Sequence, residues 1–127
     1  MPPDTYAIGL GMIGPTIIAC GTPEQKARYL PSMLDGSEIW CQLWSEPDAG
    51  SDVASLRTRA DFDSTRGVWV VNGQKVWTSG AQWSSYGLAL VRTNQEAAKH
   101  RGISALIIDM KAPGVEIRPL REMSGIE

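Results

Sequence analysis

Two hydroxyl-bearing segments of this chain have the composition of a ligand site. In the first, Trp44-Ser45-Glu46-Pro47-Asp48-Ala49-Gly50-Ser51-Asp52, two serines bracket a turn proline and a glycine directly after an apolar run. Pro47 fixes φ, Gly50 lets the backbone turn where a side chain would collide, and Ser45 and Ser51 offer hydroxyl donors at either end. An anion or a polar ring could dock there, although an isolated loop of this kind is more often a plain connection between strands. The second segment, Lys75-Val76-Trp77-Thr78-Ser79-Gly80, follows an indole with two hydroxyls and a glycine. A planar aromatic ligand could pack against the Trp77 edge while Thr78 and Ser79 donate hydrogen bonds.

The elements that must position these segments change character near Gly36. Before it, Thr22-Pro23-Glu24-Gln25 is a helix start: Thr22 caps, Pro23 suits the first helical position, and Gln25 reaches back to the free amide of the cap. The helix should run to about Leu30, where Pro31 breaks it or opens a second short helix ending at Asp35-Gly36. Beyond Gly36 the period shortens to two. Ile39 to Trp44 reads as the first strand, Gly87 to Arg92 and Ile103 to Met110 as apolar central strands, and Val115 to Arg118 as a half-buried one. Asn72-Gly73, between Val68-Trp69-Val70-Val71 and Gln74-Lys75-Val76-Trp77, predicts a tight hairpin, and Ser55 to Ala60 should pair across the turn at Asp63 to Gly67. The expected fold is mainly β, an antiparallel orthogonal barrel or sandwich preceded by a short helical segment. Trp40, Trp44, Trp69, Trp77 and Trp83 all lie in the β-rich stretch, where an indole taken singly is read as covering a sheet face.

Composition excludes several classes of function. The 127 residues carry a formal net charge of −2 with no run of Lys or Arg, which gives no footprint for nucleic acid or an anionic membrane. Cys20 and Cys41 lack metal or redox spacing and read as buried thiols of a reducing, cytoplasmic compartment. The apolar stretch Ala7 to Cys20 has no preceding Lys or Arg and is shorter than the about 20 residues a membrane span needs. It reads as a buried helix partly stripped of its neighbours, leaving an apolar patch. His100, before the turn into the Ile103 strand, reads as a surface or loop histidine.

Taken in order, the motifs resemble the acyl-CoA dehydrogenases, from the end of their N-terminal helical domain through their middle β-domain. The resemblance rests on Gly21-Thr22-Pro23-Glu24-Gln25-Lys26, Tyr29-Leu30-Pro31 and Ser45-Glu46-Pro47-Asp48-Ala49-Gly50-Ser51-Asp52. It continues in Asn72-Gly73-Gln74-Lys75-Val76-Trp77, His100-Arg101-Gly102-Ile103-Ser104 and Pro113-Gly114-Val115. It divides the chain into 1–35, the last part of a helical domain, and 36–127, a middle β-barrel domain.

What the resemblance implies is an FAD site built by the two segments. Gln42 to Ser51 match the family's first flavin segment, with Gln42 among its cofactor-binding positions: the backbone near Trp44 and the Ser45 hydroxyl address the isoalloxazine ring, Gly50 and Ser51 approach the pyrophosphate, and Ser51 also lies near the acyl-CoA substrate. Trp77, Thr78 and Ser79 match the second, with the indole on the flavin and the hydroxyl of Ser79 on its N5 side. In the family a glutamate removes the α-proton of an acyl thioester as the β-hydride passes to the flavin, and an electron-transfer acceptor protein reoxidises it. That glutamate comes from a C-terminal helical domain, so no residue up to Glu127 is expected to be catalytic, and Glu46 is expected to fix its loop. The expectation for the parent is a homo-oligomeric FAD-dependent acyl-CoA dehydrogenase of fatty acid metabolism. Same-fold flavin oxidases or monooxygenases, or a non-catalytic binding barrel, are the alternatives. The isolated chain is expected to be inactive, to hold FAD weakly if at all, and to self-associate. Thr78, Gly80 and Trp44 depart from the residues commonest in straight-chain enzymes, which leaves acyl chain length unassigned.

Overall fold

The computed structural model describes residues 3–120, so residues 121–127 of the expected β-domain lie outside the described residues. The chain opens with a short 3-10 turn and a π-helical turn at Gly9–Ile13 that runs directly into α1 (Gly14–Cys20), followed by α2 (Pro23–Leu34). Thr22 starts α2 as its composition dictates: its hydroxyl accepts from the Gln25 amide and the Gln25 side chain accepts from the Thr22 amide. Pro31 does not stop the helix. It sits inside α2, which resumes with the Asp35 amide donating to the Pro31 carbonyl, because Tyr29, Leu30 and Met33 on either side are held in the core. The bidentate Arg28–Glu38 pair, with Arg28 also donating to the Tyr86 hydroxyl, ties α2 to the sheet.

Five strands follow: β1 (Trp40–Leu43), β2 (Arg59–Asp63), β3 (Val68–Asn72), β4 (Tyr86–Arg92) and β5 (Ile103–Asp109). Their sheet is mixed. β4 is central, antiparallel to β5 along one edge; along the other it runs parallel to β1 from Tyr86 to Ala89 and to β2 at Arg92. β3 completes the path β1-β4-β2-β3, which does not close among the described residues. The all-antiparallel expectation is therefore corrected: a long connection between β1 and β4 carries the β2–β3 hairpin and returns the chain in the same direction, which no two-residue turn could do.

The Asn72-Gly73 hairpin is also corrected. The tight turn of the sheet is at Ser64 to Gly67, where Asp63 accepts from the Thr65 and Arg66 amides and Gly67 takes φ +67°. Gly73 has no positive φ and is small for another reason: a Cβ there would lie 2.7 Å from Thr58 Cα. Gln74 to Trp77 forms no strand, and neither does Val115 to Arg118, although Ile117 packs beside Cys41 and Met110.

The core is two-sided. Ile13, Ile17 and Met33 of the helical region pack on Trp40 and Leu88, on one face of the sheet. Cys41, Ala60, Ala89 and Val91 fill clusters on the other. By strand alternation Gln42 shares the helix-side face with Trp40. Cys20 is exposed rather than buried, at the last residue of α1, whereas Cys41 is fully buried. Leu10, Met12 and Ile18 of the first helical stretch remain exposed, as expected of it, and so does Leu34 of α2.

Candidate functional site

Glu46 organises the first loop. Its backbone exchanges hydrogen bonds with Ala49, the Glu46 amide to the Ala49 carbonyl at 2.8 Å and the reverse at 3.1 Å, so Pro47 and Asp48 form a tight exposed turn. Its carboxylate turns inward, accepting from the Arg57 amide at 2.6 Å, the Thr58 amide at 2.9 Å and Lys75 Nζ at 2.9 Å. Burial alone would raise its pKa, but the donors of Thr58, Arg57 and Lys75 outweigh it and hold the carboxyl down at about 2. Burial pushes the Lys75 ammonium below its ordinary pKa, with the hydrogen bond and charge of Glu46 opposing the loss of charge. Its ammonium donates to three oxygens, the carboxylate and the carbonyls of Trp44 at 3.0 Å and Leu90 at 2.7 Å, which matches the three donors of the charged form.

The two hydroxyl-bearing segments meet here. The Val76 amide donates to the Ser45 carbonyl at 2.9 Å, one residue after the lysine that holds Trp44 and one before Trp77. Trp77 has φ +58°, the one positive φ at a non-glycine residue among the described residues, and the residue is 75% exposed. A left-handed backbone costs a bulky residue about 1–2 kcal/mol, and strain of this kind concentrates where a side chain must point at a ligand. Ser79 is exposed, Thr78 and Ser45 are half-buried, and Gly50 and Ser51 lie exposed just past the Pro47-Asp48 turn.

Gln42, Trp44 and Thr78 supply a test of whether a polar cofactor fits. Gln42 Oε1, Trp44 Nε1 and Thr78 Oγ1 are buried with no hydrogen-bond partner, alongside Trp40 Nε1 and Thr58 Oγ1. An unmet buried polar atom costs about 1–3 kcal/mol. An acceptor in β1, an indole donor next to Ser45 and a hydroxyl next to the exposed Trp77 are hydrogen-bonding groups suited to a ring that carries carbonyls and ring nitrogens. The expected residues therefore fit FAD.

The role of Lys75 was not legible in the sequence beforehand. The available signal was a lysine between β-formers, in a stretch where a buried cation would need an anion, and Glu46 as the loop acid held by its neighbours. Among the described residues there is no metal-binding group of three or more His, Cys, Asp or Glu, and no helix long and apolar enough to cross a membrane.

Comparison with known proteins agrees with this arrangement. Residues 41–127 match the family model of the acyl-CoA dehydrogenase middle domain, and residues 3–37 that of the N-terminal domain. Acyl-CoA dehydrogenase FadE34 of Mycobacterium tuberculosis is 53% identical over 87% of this chain and 15% of its own length. Acyl-CoA dehydrogenase IpdE1 of the same organism is 46% identical over 98% of this chain and 32% of its own. The chain thus spans a third or less of either relative. Among solved structures, the Tcur3481-Tcur3483 steroid ACAD superposes with a TM-score of 0.90 at 39% identity, covering 94% of this chain and 31% of that one. The ChsE4-ChsE5 complex from M. tuberculosis gives 0.86 at 44%, over 93% and 30%. The FAD complex of PigA gives 0.78 at 27%, over 87% and 28%. With the two family domains matched in the order in which the helices and the sheet follow one another, this chain belongs to the acyl-CoA dehydrogenase family.

Proposed function

We propose that this chain is the cofactor and substrate platform of an FAD-dependent acyl-CoA dehydrogenase. Residues 1–35 would be the end of its helical domain and 36–127 its middle β-domain. The observation that carries the reading is the junction of the two segments at the Val76–Ser45 hydrogen bond, beside the unpaired polar atoms of Gln42, Trp44 and Thr78. Gln42 Oε1 would accept from the ring, Trp44 and Thr78 would donate to it, and Ser45 and Ser79 would add hydroxyl contacts. The Trp77 indole would pack on the ring, Gly50 and Ser51 would meet the pyrophosphate, and Ser51 would also face the acyl-CoA. When bound, FAD supplies the hydride acceptor for α,β-dehydrogenation of the thioester.

Glu46 would fix its loop rather than serve as the base. Both oxygens of Glu46 are occupied by donors and its pKa of about 2 is far from the operating range of a proton acceptor. The parent would hand electrons to an electron-transfer acceptor protein and act in the cytoplasm as an oligomer, the last supported by a neighbour solved as a complex of two components. The decisive experiment is purification of the full-length gene product, FAD titration by flavin absorbance and tryptophan quenching, and turnover of an acyl-CoA panel that includes a steroid-derived thioester. Enoyl product with an artificial electron acceptor is the expected result. Oxygen consumption in its place would make the protein a flavin oxidase of the same fold, and absence of bound flavin would refute the reading.

A further inference from the structure

We propose that Lys75 is a positioning residue of the flavin site, its ammonium setting the distance between the Ser45 segment and the Trp77–Ser79 segment. The inference rests on the flavin reading above. Two of the three acceptors of Lys75 Nζ are main-chain carbonyls, Trp44 on the first segment and Leu90 in the central strand β4, and the third is the Glu46 carboxylate. The side chain is 9% exposed and that of Glu46 is 6% exposed, so neither charge is there for solvation.

Burying a lysine is costly, and an apolar stem of equal length would fill the same volume without the desolvation. What only the ammonium supplies is the three-way tie between the loop backbone, the loop carboxylate and the sheet. Because Val76 follows Lys75 and donates to the Ser45 carbonyl, and Trp77 follows Val76, any displacement of the ammonium moves both ligand-facing segments relative to each other. All three acceptors of the Lys75 ammonium are protein oxygens, so it acts through Trp44, Ser45 and Trp77.

The test compares wild type, Lys75→Met and Glu46→Gln in the full-length gene product by amide hydrogen exchange, the FAD dissociation constant and the visible spectrum of bound flavin. Both variants should speed exchange at the Val76 amide, leave the β4–β5 amides unchanged, raise the FAD dissociation constant about tenfold and shift the flavin spectrum. Variants that bind FAD within about twofold of wild type with an unaltered spectrum would overturn the role of Lys75 and leave the flavin reading standing. Exchange that rises equally at Val76 and across β4–β5 would make Lys75 a general structural residue and also overturn it. A wild type that binds no FAD would refute the flavin reading first. If Lys75→Met does not fold, Glu46→Gln, which keeps the lysine and removes its anionic partner, decides alone.

Discussion

Replacing Glu46 by Gln should remove one defined component of acid stability. The Glu46 carboxyl lies at about 2 against an ordinary 4.5, so folding favours its anion. A depressed folded pKa gives stabilisation that is complete above the unfolded value and is lost as pH falls through the folded one, here from 4.5 down to about 2. At about 1.36 kcal/mol per unit the depression amounts to about 3 kcal/mol. With the side chain only 6% exposed, solvent screening takes little from it. Lys75 remains an ammonium throughout this window, since its nitrogen donates to three oxygens. The assay is urea unfolding by circular dichroism from about pH 7 to about pH 2, wild type against Glu46→Gln. Asp35, Glu38 and Asp52 are also held low, chiefly by hydrogen bonds from Ser37, Arg28 and Ser55, but they are common to both proteins and cancel in the difference. Wild type should start more stable and lose about 3 kcal/mol more than the variant across the window. Parallel profiles would refute the reasoning, because they would mean that the Thr58, Arg57 and Lys75 donors do not hold Glu46 as an anion in the folded chain.

Gly73→Ala should cost about 1–3 kcal/mol, since its Cβ would fall 2.2 Å from Thr58 Oγ1. Gly50→Ala, with open space and no positive φ, should stay within about 0.5 kcal/mol, both read from urea midpoints. Thr22→Ala removes the hydroxyl that accepts from the Gln25 amide and should cost about 1 kcal/mol, measured by thermal unfolding. Trp77→Gly should leave stability unchanged or raise it by about 1 kcal/mol while weakening FAD binding, because it relieves φ +58° and removes the side chain of a residue that is 75% exposed. A clear loss of stability would show instead that the indole packs into the fold.

Local chemistry was the most legible part of this chain. Thr22 and Gln25 form the capping box their spacing specifies, because a cap needs nothing beyond three residues. β4 falls where its apolar run places it, since burial on both faces of a central strand leaves no alternation to confuse, and β5 falls on its apolar run too, although it pairs only with β4 and is just partly buried. Pairing partners were not legible. Asn72-Gly73 has the composition of a tight turn, but Gly73 is required by the close passage of Thr58, a contact across the sheet that no local rule contains. The parallel β1–β4 pair depends on a connection that leaves to build a hairpin and returns, and Pro31 continues its helix because Met33 beyond it is buried. At the site, the sequence named the segments, but the lysine that joins them lay inside one of them without an assigned role.

Burial divides the labour within the site. The groups that hold the two segments together, Glu46 and Lys75, have nearly all of their side chains away from solvent and satisfy each other and the neighbouring backbone. The groups left incomplete lie beside them in the chain: Trp77, exposed and in a left-handed conformation, and buried polar atoms without partners on Gln42, Trp44 and Thr78. Strain at Trp77 persists only if its surroundings over-determine it. The Lys75 ammonium and the Val76 amide, two and one residues upstream, do so by fixing the chain on Trp44, Ser45, Glu46 and Leu90 before it reaches the indole. The stability of the buried pair is therefore what lets Trp77 stay in a conformation that its own contacts do not favour, which on the proposed flavin reading prepares it for the ring.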